Sequence, residues 1–200
     1  MPIRAIVLDI GGVLEHTPDL GTVARWEPEF GPGWVHRVGP VFRAGELGGI
    51  TLAEVHDQAA AALGVPAARF EAYMRDAWLE YLGTYNGELA DYWRTRRAEG
   101  YTTAIISNSF VGAREREEEA YRFSELTDLI VYSHEVGILK PDPAIYELCL
   151  DRLGMAPDEA VFVDDVEENC EAARTLGMSA VRFQDTAQVI RDLDALLQKG

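Results

Sequence analysis

The feature that most constrains this chain is its first strand-like stretch, together with the residues just after it. Ile3, Ala5, Ile6, Val7 and Leu8 form a nearly unbroken apolar, β-prone run that ends at Asp9, and Ile10-Gly11-Gly12 come next. An apolar run of this kind suits a strand buried on both faces, as in a parallel sheet covered by helices. In such sheets the ligand crevice lies at the carboxyl ends of the strands. A carboxylate placed there and followed by two glycines is poorly explained by packing alone, because glycine lets the backbone approach a ligand closely.

The rest of the chain supplies the partners such a strand needs. A strand is expected over residues 101–107, another over 129–132, a fourth over 160–163 and a fifth over 179–183. Helical patterns lie between them, over about 87–99, after Lys140-Pro141-Asp142-Pro143, from Asp165 to Leu176, and over about 186–198. Gly100, Gly154 and Gly177 close three of these helices, the usual left-handed C-terminal stop. Alternating strands and helices predict a doubly wound parallel sheet with right-handed crossovers. Residues 15–84 break the alternation. Thr51 with Glu54 makes a capping box ahead of a helix that Gly64 stops, and a second helix starts near Pro66. The stretch reads as all-helical and without strands. It predicts an α/β core over 1–15 and 85–200, with an inserted helical cap over 16–84. The charge run from Arg114 to Arg122 reads as a solvated helix face.

Composition narrows the partners. The chain has 34 acidic against 18 basic residues, a net charge of −16. Nucleic acid and anionic membrane are therefore not expected, since each requires a basic face. An acidic protein that binds an anion must make its site locally positive with a metal ion, a lysine or a helix N-terminus. Cys149 and Cys170 stand alone in helical patterns and read as small buried apolar residues. No run is long and apolar enough to span a bilayer, and Met1 leads straight into the first strand, so the expected compartment is the cytosol.

The predicted topology gathers four polar signals at one sheet edge. They are Asp9, Ser107-Asn108, Lys140 and Asp164-Asp165. Carboxylates crowded together raise one another's pKa and repel. A divalent cation relieves that, and an oxygen-only donor set fits Mg²⁺ better than zinc.

The four stretches Asp9-Ile-Gly-Gly-Val-Leu14, Ser107-Asn108-Ser109, Lys140-Pro141-Asp142-Pro143 and Val163-Asp164-Asp165 resemble, in order and spacing, those of the haloacid dehalogenase-like hydrolases. The resemblance implies a Rossmann-like core with a helical cap. It also implies roles. Asp9 would be the nucleophile that accepts a phosphoryl group. Ser107 and the Asn108 backbone would hold phosphoryl oxygens, and Lys140 would neutralise charge on both. Mg²⁺ would be held by Asp9, the Gly11 carbonyl and Asp165, with Asp164 bonding Lys140 or a metal-bound water. The substrate implied is a small phosphorylated metabolite, with a sugar phosphate as one option, and the protein would be a monomer or homodimer.

One position departs from the pattern. Phosphatases of this family usually carry a second Asp two residues after the nucleophile, and Gly11 stands there. Glu15, His16 or a cap residue could take over its general acid/base work. His16 reads more simply as a surface loop residue. Two other activities stay open on sequence, a metal-free 2-haloacid dehalogenase and a non-catalytic binding or regulatory protein. Arg43, the Gly45-Glu46 turn, and Trp26 or Trp34 are candidates to line the substrate site.

Overall fold

The computed structural model describes residues 2–198. The chain opens with strand β1 (Ala5–Leu8) and then forms a short antiparallel hairpin from β2 (Glu15–His16) and β3 (Thr84–Tyr85). Four helices fill the space between the two hairpin strands: α1 (Thr22–Phe30), α2 (Trp34–Glu46), α3 (Leu52–Leu63) and α4 (Ala67–Leu82). Next come α5 (Gly87–Ala98), β4 (Thr102–Ser107), α6 (Ala113–Tyr121), α7 (Phe123–Leu126), β5 (Leu129–Tyr132) and α8 (Ser133–Val136). The chain continues with α9 (Pro143–Leu153), β6 (Ala160–Asp164), α10 (Glu167–Leu176), β7 (Ser179–Arg182) and α11 (Thr186–Leu197).

Five strands pair in parallel in the order β5-β4-β1-β6-β7, which is the expected doubly wound sheet. β1 lies at its centre, with Leu8 opposite Ile105 on one side and Val163 on the other. The strand order reverses at this point, so the tips of β1, β4 and β6 border the crevice where such sheets bind ligands. Alternation along β1 supplies both cores. Ile6 and Leu8 pack with Leu89, Trp93, Val189 and Leu193. Ala5 and Val7 pack with Ile106, Tyr146, Cys149 and Phe162 on the opposite face. Both cysteines are free and buried, as small apolar residues would be.

The helical insert has an apolar centre of its own. Phe30, Trp34, Val55, Phe70, Tyr73 and Trp78 meet there, joined by Phe110 from the loop after β4. The capping box at Thr51 forms as the sequence implies, its hydroxyl accepting from the Glu54 N–H while the Glu54 carboxylate accepts from the Thr51 N–H. The segment is not free of strands, however. β2 and β3 stand at its two ends and clip them together, and two-residue strands carry no periodic signal that a sequence reading could detect. Among the described residues no helix is long and apolar enough to cross a membrane.

The insert also touches the sheet domain through backbone. Val111 donates its N–H to the Gly45 carbonyl at 3.3 Å, and Ser133 Oγ donates to the Glu46 carbonyl at 3.0 Å. Beside these bonds Gly48 has φ +66°, and a Cβ there would stand 1.8 Å from the His134 carbonyl oxygen. Gly48→Ala therefore combines left-handed strain with a backbone collision. It is expected to cost about 2 kcal/mol or more in urea unfolding. An unchanged midpoint would show that the insert moves off α8 without penalty.

Candidate active site

The sheet brings the predicted carboxylates together. Asp9 follows β1, Asp164 ends β6 and Asp165 follows it, and one carboxylate oxygen from each lies within 4.8 Å of the others. Asp9 is fixed by backbone, since its N–H donates to the Val163 carbonyl at 2.9 Å and the Ile10 N–H donates to its Oδ1 at 2.7 Å. Lys140 Nζ lies 2.7 Å from Asp9 Oδ1 and 2.7 Å from Asp164 Oδ2, with its side chain 1% exposed. The lysine thus bridges two of the three acids.

Lys140 is itself held in place by Asn108. The Asn108 side chain donates to the Lys140 carbonyl at 2.9 Å and accepts from the Lys140 N–H at 2.8 Å. Of the Ser107-Asn108 pair, then, the asparagine side chain is committed to the lysine loop, which leaves its backbone for a ligand. Ser107 is buried at the tip of β4. Asp164 is saturated, because besides Lys140 it accepts from Asn169 Nδ2 and from the Val166 N–H at 2.8 Å. Among the described residues no such set of donors meets the Asp165 carboxylate. Gly12 packs directly against it, with φ +71° and room for a Cβ only 2.6 Å from Asp165 Oδ2. A side chain at position 12 would close the space beside that carboxylate.

The electrostatics are set by burial. Burial pushes the Asp9 carboxyl up to about 7, with Lys140 pulling it down and Asp164 pushing it further up. Burial and then the charge of Asp164 also raise Asp165. Lys140 is moved the other way from what burial would do, because Asp9 and Asp164 both favour its charged form. Three acids share one lysine, so the group carries surplus negative charge inside the protein. Oxygen-only donors around a charge deficit are what a hard divalent cation such as Mg²⁺ requires, and the carboxylates of Asp9, Asp164 and Asp165 lie close enough together to hold one.

Gly11 and Glu15 adjoin each other. The Glu15 carboxyl is buried, with Oε1 3.7 Å from where a Cβ on Gly11 would stand. It accepts from Thr17, its Oε2 has no partner among the described residues, and burial raises it to about 7. His16 is exposed on the hairpin, the surface position its sequence context implies.

A cavity of about 270 Å³ opens beside the sheet edge, with Asn108 and Ser109 among its lining residues. Arg43 and Glu46 line it as expected, but Trp26 and Trp34 do not. Trp34 packs edge-on to Tyr73 and Phe30 inside the insert, where an apolar ring loses most water. Trp78 and Phe110 line the cavity instead, a fact the helical spacing of α4 could not distinguish from core packing.

A second group was hidden in the charge run of α6. Glu117 is 1% exposed rather than solvated, and it accepts from Tyr81 at 2.9 Å and from Tyr132 at 2.5 Å. Tyr81 belongs to α4 of the insert and Tyr132 ends β5, so this carboxylate ties the insert to the sheet. Nothing in the run Ala113–Tyr121 marks one glutamate of four as the inward one.

Comparison with known proteins agrees with this layout. A family profile described as haloacid dehalogenase-like hydrolase matches residues 70–183. The bifunctional epoxide hydrolase 2 of Rattus norvegicus is 36% identical over 102 residues, 49% of this chain and 18% of that protein. The (S)-2-haloacid dehalogenase 1 of Pseudomonas sp. is 36% identical over 90 residues, 44% of this chain and 38% of that one. The alignments thus span well under half the length of these relatives. The crystal structure of a HAD family enzyme from Bacteroides thetaiotaomicron, a magnesium complex, superposes with a TM-score of 0.82 at 23% identity, covering 96% of this chain and 100% of that one.

Burial raises the Glu117 carboxyl to about 7 against an ordinary 4.5, and its two tyrosine donors only partly offset this. The folded state then keeps a proton that the unfolded chain has released, so stability falls as pH rises from about 4.5 towards 7. Glu117→Gln is expected to flatten that part of the stability profile in urea titrations at several pH values. A variant with the same slope as the parent would place the proton elsewhere.

Proposed function

From the premise that this chain belongs to the haloacid dehalogenase-like hydrolases, we propose that it is a Mg²⁺-dependent phosphatase of small phosphomonoesters. The observation that carries the reading is the convergence of Asp9, Asp164 and Asp165 within 4.8 Å around a lysine bonded to two of them. The Bacteroides enzyme of similar fold has also been crystallised with magnesium and inorganic phosphate, which supports a phosphoryl ligand at such a site.

In this reading Asp9 attacks phosphorus, its new P–O bond forming as the bond to the leaving alcohol breaks. Water then hydrolyses the aspartyl-phosphate and frees Asp9. Lys140 holds Asp9 in its charged, attacking form and offsets the negative charge of the phosphoryl group. Ser107 and the Asn108 backbone take phosphoryl oxygens at the tip of β4. Asp164, saturated by Lys140, Asn169 and Val166, orients the lysine. Bound Mg²⁺, held by Asp9, Asp165 and the Gly11 carbonyl, would supply Lewis-acid stabilisation of the phosphoryl charge. In this reading Glu15, whose Oε1 lies against Gly11 while its Oε2, unpartnered among the described residues, faces Gly83, takes over the leaving-group proton that the missing second Asp would carry.

The relationship to a 2-haloacid dehalogenase favours a second reading, in which Asp9 displaces halide from carbon. That reaction needs no metal ion, so the paired carboxylates Asp164 and Asp165 beside Asp9 weigh against it.

Hydrolysis of p-nitrophenyl phosphate with Mg²⁺, repeated with EDTA, tests the assignment. Activity is expected only with the metal, and Asp9→Asn is expected to fall below detection while keeping the parental circular dichroism. EDTA-resistant chloride release from 2-chloropropionate would replace the phosphatase reading with the dehalogenase one. Glu15→Gln separates the proton role from the attack. It is expected to slow alkyl phosphates about 10²-fold while leaving p-nitrophenyl phosphate, whose leaving group needs no proton, little changed. Unchanged rates on both substrates would remove Glu15 from the mechanism.

A further inference from the structure

The cavity of about 270 Å³ that reaches Asn108 and Ser109 is walled mainly by apolar side chains. Phe42, Met74, Ala77, Trp78, Phe110 and Leu139 form most of it. The polar side chains on its lining are already engaged with the protein. Asn108 is spent on the backbone of Lys140. Ser109 Oγ lies 2.6 Å from His134 Nδ1, and its N–H donates to Ser133 Oγ. The Tyr81 hydroxyl donates to Glu117. Arg43 and Glu46, both largely exposed, lie 3.5 Å apart and offset one another's charge. Trp78 Nε1 has no partner among the described residues, but it is buried out of a ligand's reach.

A polyhydroxylated ligand placed here would leave hydroxyls without partners, and each one buried unpaired costs free energy. An apolar group would lose nothing and would gain from leaving water. The volume lies near the lower end of the range for small-molecule pockets. The cavity is lined by Asn108 and Ser109, which directly follow Ser107 at the tip of β4, so in the phosphatase reading its occupant is the organic half of the ester.

We infer that the substrate is the monophosphate of an apolar, uncharged alcohol, a ring or branched chain seated against Trp78, Phe110 and Met74, rather than a sugar phosphate. This rests on the phosphatase reading above and gives it a substrate class.

The test compares three phosphates on the intact protein with Mg²⁺: cyclohexylmethyl phosphate, glucose 6-phosphate and acetyl phosphate. The first two are primary alkyl esters of similar size that differ in hydroxyl content, and acetyl phosphate is too small to fill the cavity. We expect kcat/KM for cyclohexylmethyl phosphate to exceed that for glucose 6-phosphate at least tenfold. Met74→Gln, close to Met in volume but polar, is expected to narrow that ratio at least threefold. Ala77→Phe, which fills the cavity, is expected to collapse it, and serves if Met74→Gln does not fold. Hydrolysis of acetyl phosphate with equal or better use of glucose 6-phosphate would overturn the substrate class and leave the phosphatase standing. A ratio unmoved by either folded variant would also overturn it. Failure on all three phosphates would overturn both readings, with acetyl phosphate showing that the chemistry failed before the cavity mattered.

Discussion

The structure is organised around an imbalance of buried charge. Three carboxylates meet at the tips of β1 and β6, and the protein supplies one ammonium group, Lys140, to offset them. A buried ion group of this kind is a poor stabilising device, because desolvation of each member costs more than a single attraction returns. It persists because backbone fixes it. Asp9 is bonded to the neighbouring strand, Asp164 is saturated by three donors, and the Asn108 side chain holds both the N–H and the carbonyl of Lys140. The rigidity of the sheet is what holds like charges at a separation they would not choose.

That constraint explains much of the sequence nearby. The β1 residues pack on two faces because the strand must be central for its tip to face both β4 and β6. Gly12 is glycine because the Asp165 carboxylate occupies the space a Cβ would need. Asn169 sits on the first turns of α10, a position that lets it reach back to Asp164.

The sheet and the edge where the site lies were legible in the sequence because each strand is an apolar run ended by a polar residue, and parallel topology sends all such ends one way. Asp9, Asp164, Asp165 and Lys140 could be placed together on that basis alone. The features that stayed concealed depend on contacts between distant segments. The hairpin of Glu15–His16 with Thr84–Tyr85 is too short to show alternation. Glu117 looks like its exposed neighbours in α6 until Tyr81 and Tyr132 converge on it. Trp34 and Trp78 lie at equally helical spacings and both join the insert's apolar centre, and only tertiary packing puts Trp78 on the cavity wall as well.

The same packing couples the two halves of the site. Phe110 leaves the tip of β4 just after Asn108, yet it belongs to the apolar cluster of the insert and stacks near Phe42 and Trp78. Tyr81 runs the opposite way, from the insert to a carboxylate of the sheet domain. The sheet edge that carries Asn108 and the apolar cavity therefore share one set of contacts. A ligand spanning both would press on Phe110 at one end and on the Asn108–Lys140 clasp at the other. In the phosphatase reading, recognition of the organic group and placement of the lysine beside Asp9 would both draw on Asn108, which lines the cavity and bonds the Lys140 backbone, so orientation of the ester and of the charged edge would share one residue.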